Sequence, residues 1–304
     1  WMDGIREEGV ESLAIPHNSN ISGGSAFSVN DYNGGPIDEV YANKRLRNEP
    51  LVEITQAKGT SETHPFLSKN DEWANFEVPT NHPGEKVPSN LSGSYVRDAY
   101  LRGLTLAKEG ISNPFKFGII GSSDTHVGGG SYTEETHFSK IGLLDGEPYL
   151  RGSVPYRGIY GFFTKLLRPE AIIEVDENNY LGVSTRLIRF GSSGLAGVWA
   201  EENTREAIYE AFKRKETFGT SGPRIKLRFF AGYSFDDSNL VDTNLIKKAY
   251  AQNTTMGGTI QSEKSIEPKF LIWAISDPNG APLQRVQVIK GWLEDGVHRE
   301  KIFD

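Results

Sequence analysis

The sequence contains no cysteine, which excludes disulfide bonds, thiolate metal sites and a cysteine nucleophile. It also lacks the run of about 18 apolar residues that a membrane-spanning helix requires, so no membrane insertion is expected. Basic residues are not in excess, since 33 lysines and arginines face 40 acidic residues and leave a formal net charge of −7. Because phosphate neutralisation requires clustered cations, this composition argues against a nucleic-acid partner.

Three nucleotide or hydrolase motifs are missing as well. There is no phosphate-binding Gly-x-x-x-x-Gly-Lys-Ser/Thr loop, no Gly-x-Gly-x-x-Gly after a strand and no Gly-x-Ser-x-Gly elbow, which removes the main support for those classes. What remains is a chain of 304 residues that is 37% hydrophobic and 11% aromatic. These values are typical of a folded globular protein with one large domain, or with a large and a small one.

The two ends of the sequence are unusual. The chain begins at Trp1 without an initiator methionine or a signal peptide, and it closes at Asp304 in what reads as the middle of a strand. We therefore expect it to be an internal piece of a longer protein.

The first two thirds alternate between strand and helix patterns. Apolar runs predict strands at 11–15, 51–54 and 115–120, and apolar residues at helical spacing predict a helix over 94–109. This order is typical of an α/β sheet or barrel, in which ligands bind at the carboxyl ends of the strands.

The last third reads differently. Asn203 is predicted to cap a helix that runs to about Lys215, with Glu206 completing a capping box. Strand patterns dominate from residue 226 onward, with one weak helical pattern over 240–251. The sequence thus predicts an α/β domain over 1–225 and a small β-rich, sandwich-like accessory domain over 226–304.

Metal-ligand residue types cluster after the predicted strands. Asp124 and His126 are two residues apart, so on an extended strand end both side chains would point the same way and could hold Zn, Mn or Fe. His17, Glu53 and His64 follow or lie within the other predicted strands. Each has a plainer structural interpretation, but Glu53 lies in an apolar strand, where an unpaired carboxylate is costly to bury, so we favour a bound cation there.

Five cationic side chains are candidates to hold an anionic substrate: Lys58, Arg97, Arg151, Arg157 and Arg224. Lys58 stands out because it lies between Glu53 and His64. Most such side chains are simply solvated in folded proteins, so both interpretations stay open.

Five segments together resemble the family known as domain of unknown function 3604, within the PHP (polymerase and histidinol phosphatase) superfamily of metal-dependent hydrolases. In chain order the matching segments are 15–20, 52–62, 121–126, 197–205 and 217–225. The resemblance implies a distorted, TIM-like α/β barrel with two or three divalent metal ions. It also implies that Asp124 and His126 are the closing ligand pair and His17 an earlier ligand, with Glu53 and His64 in the middle positions.

The opening His-x-His pair of that superfamily is absent from this sequence. We expect a metal-dependent hydrolase of a small anionic ester, most simply a phosphoester, with Asp124 accepting a proton and Lys58 or Arg224 steadying substrate oxygens. Alternatives are the same centre acting on a carboxyl ester, carbamate or sulfate, or a binding or scaffold protein with an incomplete centre. The family resemblance favours a periplasmic or secreted location, and the sequence leaves oligomerisation open.

Overall fold

The chain folds into a mixed α/β structure. The computed structural model describes residues 1–78, 90–126, 155–156, 159–167, 169, 172–176, 179–182, 194–236, 242–262 and 266–304. The helices are α1 (Met2–Glu7), α2 (Glu39–Asn48), α3 (Val96–Lys108), α4 (Ile159–Leu167), α5 (Arg205–Arg214) and α6 (Leu245–Gln252). The strands are β1 (Leu51–Gln56), β2 (Gly59–Thr60), β3 (Gly118–Gly121), β4 (Pro155–Tyr156), β5 (Ile172–Asp176), β6 (Asn179–Gly182), β7 (Leu195–Val198), β8 (Thr217–Thr220), β9 (Lys226–Gly232), β10 (Thr254–Thr255), β11 (Lys269–Ile275), β12 (Val288–Glu294) and β13 (Val297–Phe303).

The central sheet has the strand order β2-β1-β3. β1 and β3 are parallel, with Glu53 opposite Ile120, so their carboxyl ends lie at one edge. Both strands are almost fully buried, as expected for a parallel pair covered on both faces. The strand predictions at 51–54 and 115–120 are confirmed in type, although β3 begins three residues late.

Helix α3 covers this sheet and forms the main core with it. Val96, Ala99 and Leu106 pack with Val52 and with a group of aromatic side chains from outside the helix. Those rings are Phe27, Phe115 and Phe117, whose centroids lie 5.6–6.0 Å apart. The helix predicted over 94–109 is confirmed, and Gly110, at φ +88°, follows its end as a glycine in the left-handed region.

β3 faces the antiparallel β7–β8 pair through glycines. A Cβ on Gly121 would lie 2.6 Å from the carbonyl oxygen of Thr220, and one on Gly219 would lie 2.5 Å from the amide nitrogen of Gly121. The two backbones can approach this closely only because neither residue has a side chain. The end of β8 is thereby held beside the carboxyl end of β3.

The last part of the chain is β-rich, as predicted. β9 pairs with β10 and β11 in one antiparallel sheet, and β12 pairs with β13 in a hairpin. The hairpin packs on α3, where His298 and Thr105 share a 2.8 Å hydrogen bond. The weak helical pattern at 240–251 corresponds to α6.

Three predictions about the fold were wrong. The run at 11–15 is irregular, not a strand, although the amide of Ala14 donates to the Asn48 carbonyl at 2.7 Å. The cap of α5 is Thr204, whose hydroxyl accepts from the amide of Ala207, so Asn203 does not cap the helix and Glu206 is not in a capping-box position. The described residues form five small sheets, and none closes into the expected TIM-like barrel.

None of the helices in the described ranges is long and apolar enough to span a bilayer.

Candidate functional site

The carboxyl ends of β1 and β3 bring three polar segments together: 17–20, 56–58 and 122–126. The amide of Ser122 donates to the Thr55 carbonyl at 3.0 Å and extends the pairing of the two strands. On the other side, the amide of Glu53 donates to the Pro16 carbonyl at 3.0 Å and ties the first segment to β1. We call this region the carboxyl-edge site.

Asp124 is the centre of the site. One carboxylate oxygen lies 2.9 Å from Lys58 Nζ, and the other lies 3.0 Å from His126 Nε2. The Asp124 side chain is only 9% exposed, whereas that of His126 is 57% exposed. The structure therefore assembles a cation, a nearly buried carboxylate and an accessible imidazole in one row.

The row forms in a way that the sequence did not predict. Residues 122–126 are not a strand, and Asp124 has φ +54°, in the left-handed region that aspartate enters more readily than most residues. The two side chains therefore do not meet through the alternation of an extended strand. A non-glycine residue in this region is uncommon and marks a position worth testing for function.

Glu53 is buried beside this row. Its side chain accepts hydrogen bonds from the Ser122 hydroxyl and, at 3.5 Å, from the amide of Asn18, and the residue is 5% exposed. These donors reduce the cost of burying the carboxylate, and no cation is needed to explain its place in β1.

Sequence reasoning missed a supporting amide network. Gln56, 2% exposed, donates to the side-chain oxygen of Asn18 at 2.7 Å and accepts from the amide of Lys58 at 2.7 Å. Asn20 donates to the Lys58 carbonyl at 3.1 Å. This network fixes the turn that carries Lys58. The feature of the sequence that could have indicated this network is the polar pair Thr55-Gln56 at the end of an apolar strand.

The two other histidines that the sequence predicts as metal ligands differ in their surroundings. His17 is exposed in the irregular segment before β1. His64 is half-buried, with its ring stacked on Phe66 at 5.3 Å and tilted against Tyr95 at 5.7 Å. Its Nδ1 accepts from the amide of Phe66 at 3.3 Å, so one ring nitrogen is already engaged.

Of the predicted substrate-binding arginines, Arg151 and Arg157 lie outside the described residues, and Arg97 and Arg224 lie among carboxylates. Arg97 contacts Glu62, Asp71 at 2.7 Å and Glu300 at 3.6 Å. Its guanidinium pKa is raised although burial lowers it, because these acids favour the charged form. Arg224 lies in the turn after β8, where its amide donates to Asp277 at 2.7 Å. Substrate contact by either arginine stays a prediction.

The donor set fits part of a divalent-metal site. Asp124 and His126 offer the carboxylate oxygen and imidazole nitrogen that Zn, Mn and Fe accept. Over the described ranges, however, no group of three or more histidine, aspartate or glutamate side chains is arranged to hold a metal ion. These residues thus assemble a ligand pair and not a complete centre.

Comparisons with known proteins add the family and nothing further. The search of curated proteins gave no match, nor did that of solved structures. The match to one family, described as "Protein of unknown function (DUF3604)", covers residues 1–304. The chain therefore belongs to the DUF3604 family.

Proposed function

We propose that this protein is a metal-dependent hydrolase of ester bonds, most simply a phosphoesterase, and that the carboxyl-edge site is its catalytic centre. One observation carries the proposal: Asp124 is held between Lys58 and His126 at the edge where parallel strands end. Ligands of α/β proteins bind at that edge. The resemblance of the sequence to the PHP superfamily supports the same assignment.

Asp124 and His126 would hold a divalent ion, Zn, Mn or Fe, and Glu53, His17 and His64 are the further ligands that the sequence predicts. When bound, such an ion supplies a water of lowered pKa as the nucleophile. A centre of two or three ions, as the resemblance implies, needs donors beyond the Asp124–His126 pair.

The protein's own groups have separate parts in this proposal. The Lys58 ammonium, fixed by its turn and 2.9 Å from Asp124, is placed to stabilise negative charge on a substrate oxygen. The Asp124 carboxylate, besides holding the ion, is the group that accepts a proton. His126, whose side chain is 57% exposed, is the most accessible of the three.

A second candidate function rests on the ligand pair, short of a full centre, that the described residues form. Glu53 and Asp124 already have hydrogen-bonding or ion-pair partners within the protein. A fold that had lost its metal chemistry and binds an anion at Lys58 would retain these contacts.

A hydrolase of carboxyl esters, carbamates or sulfates would use the same residues as a phosphoesterase.

The deciding experiment measures bound metal and hydrolysis together. The chain is loaded with Zn, Mn or Fe(II), dialysed and analysed by plasma mass spectrometry, then assayed on nitrophenyl phosphate, bis-nitrophenyl phosphate, nitrophenyl acetate and nitrophenyl sulfate. We expect at least one equivalent of metal and hydrolysis of a phosphate ester. Asp124→Asn and His126→Ala should lose both.

Asp242→Asn is the matched control, because Asp242 forms an ion pair with Lys248 at 2.5 Å and lies outside the site. It should keep metal and activity. Metal content that is unchanged in Asp124→Asn and His126→Ala would overturn the proposal. Anion binding that needs Lys58, without hydrolysis or metal, would establish the second candidate.

A further inference from the structure

A cleft lies at the opposite edge of the central sheet, where β1 and β3 begin. Pro50, Lys116 and Lys215 lie close before β1, β3 and β8, and all three line a cleft of about 520 Å³. Helices α2 and α5 form its sides through Arg47 and Tyr209. We call this space the amino-edge cleft.

The cleft is basic in a protein with a net charge of −7. Its lining includes two arginines and three lysines but only one acid, Glu11. Arg6 is neutralised by Asp3 at 3.0 Å and by Glu11 at 3.3 Å.

Lys213 forms an ion pair with Glu210 at 3.2 Å. The other three cations that line the cleft, Arg47, Lys116 and Lys215, form no ion pair with any described residue. These three cations are what a bound anion would meet in the cleft.

Lys116 and Lys215 repel one another. The Lys215 ammonium donates to the Lys116 carbonyl, which holds the two lysines side by side. Burial lowers the pKa of Lys215, and the charge of Lys116 lowers it further. Both effects disfavour the charged form of Lys215, and an anion bound beside the two lysines would offset them.

Helix ends explain only part of the charge. Cations are favourable near the carboxyl end of a helix, and Arg47 and Lys213 occupy the last turns of α2 and α5. Lys116, however, belongs to no helix. It lies in the loop before β3, is exposed and contributes to the lining of the cleft.

We propose that the amino-edge cleft binds a small molecule that carries a phosphate group. The Arg47 guanidinium matches two phosphate oxygens, and the lysine ammoniums add point charges. Leu13, Leu46 and Tyr209 line the remainder of the cleft and suit a less polar portion of the ligand. The proposal is independent of the function proposed for the carboxyl-edge site.

The test is calorimetric titration of inorganic pyrophosphate into the full chain, at fixed ionic strength and with EDTA present. EDTA removes any contribution from metal at the carboxyl-edge site. We expect saturable binding that weakens about tenfold in Lys116→Gln and in Arg47→Gln, because each loses a charge-assisted contact. Lys116→Arg should restore most of the affinity.

Lys247→Gln is the control, because Lys247 is an exposed lysine on α6 away from the cleft. It should bind like the parent protein. Absence of saturable binding would overturn the proposal, as would binding that is lost in Lys58→Gln but kept in Lys116→Gln. Circular dichroism of each variant separates loss of binding from loss of fold.

Discussion

At the scale of single residues, two tyrosines near the start of α3 differ in what their hydroxyls contact. Tyr95 is fully buried, and its hydroxyl has no hydrogen-bond partner in the described part of the chain. The Tyr100 hydroxyl donates to the Phe117 carbonyl at 3.1 Å. Burial raises the pKa of Tyr95 to about 12 and also raises that of Tyr100.

These pKa shifts predict a loss of stability in alkali. Between about pH 10 and pH 12 the unfolded chain releases the Tyr95 proton while the folded chain retains it, so the free energy of unfolding falls as pH rises. The Tyr95 contribution is fully present below pH 10, and about 2 kcal/mol is lost by pH 12. Urea unfolding from pH 8 to pH 11.5 should show Tyr95→Phe losing less stability than the parent.

The neutral-pH comparison gives the control for this prediction. At pH 7.5, Tyr95→Phe should be neutral or stabilising, because it removes an unpartnered buried hydroxyl. Tyr100→Phe should cost about 1 kcal/mol, because it leaves the Phe117 carbonyl without its donor. Equal losses in both variants would contradict the assignment of these hydroxyls.

At the scale of elements, two helical glycines have opposite surroundings. A Cβ on Gly103 in α3 would lie 2.0 Å from Asn113 Oδ1, which itself accepts from the amide of Phe115 at 2.8 Å. A Cβ on Gly4 in α1 would meet no atom within 4 Å. Helix propensity favours alanine at both positions, but only Gly103 lies against a packed neighbour.

We therefore expect opposite signs for the two alanine substitutions. Gly103→Ala should destabilise by about 1–3 kcal/mol, because the added methyl group displaces Asn113. Gly4→Ala should stabilise by up to about 1 kcal/mol. Thermal unfolding followed by circular dichroism measures both. A stabilised Gly103→Ala variant would show that α3 does not lie this close to Asn113.

The elements that sequence predicted best are those with a strong local pattern. β1 and α3 form where the sequence predicts them, because the apolar positions that define each pattern are also the positions that become buried. The run at 11–15 has the same apolar character but forms an isolated hydrogen bond to the Asn48 carbonyl at the end of α2 instead of a ladder, and Pro16 lacks the amide that a continued ladder needs. Local pattern cannot distinguish these two cases.

The carboxyl-edge site also combines residues that the sequence points to with a contact that it does not reveal. Asp124, His126 and Lys58 were identified because residue type and position after strands are visible in the sequence. Ser122 as the partner of Glu53 was not, because that contact depends on the register between β1 and β3. Register is set by pairing across 60 or more residues of chain, which no local pattern specifies.

At the scale of the whole molecule, the β-rich part is joined to the rest around Trp199. This residue follows β7, and its indole donates to the Leu227 carbonyl in β9 at 2.8 Å. The Arg228 guanidinium lies 3.5 Å from the centre of the Trp199 ring, and Trp273 of β11 packs edge-on at 6.1 Å. The predicted boundary at residue 225 therefore falls beside a packed contact.

This junction predicts that the chain unfolds as one unit. Arg228→Met keeps an apolar stem but loses the cation–π contact and the hydrogen bond to the Tyr250 hydroxyl at 2.6 Å. It should therefore lower the free energy of unfolding by about 1–2 kcal/mol in a single transition. Arg299→Met is the control. Arg299 pairs with Glu294 at 3.0 Å while both are about half exposed, and loss of this pair should cost less than about 0.5 kcal/mol.

Urea unfolding followed by far-ultraviolet circular dichroism and by tryptophan fluorescence measures both variants. Two separate transitions, with Arg228→Met shifting only one, would mean that the part after residue 225 folds independently of the carboxyl-edge site.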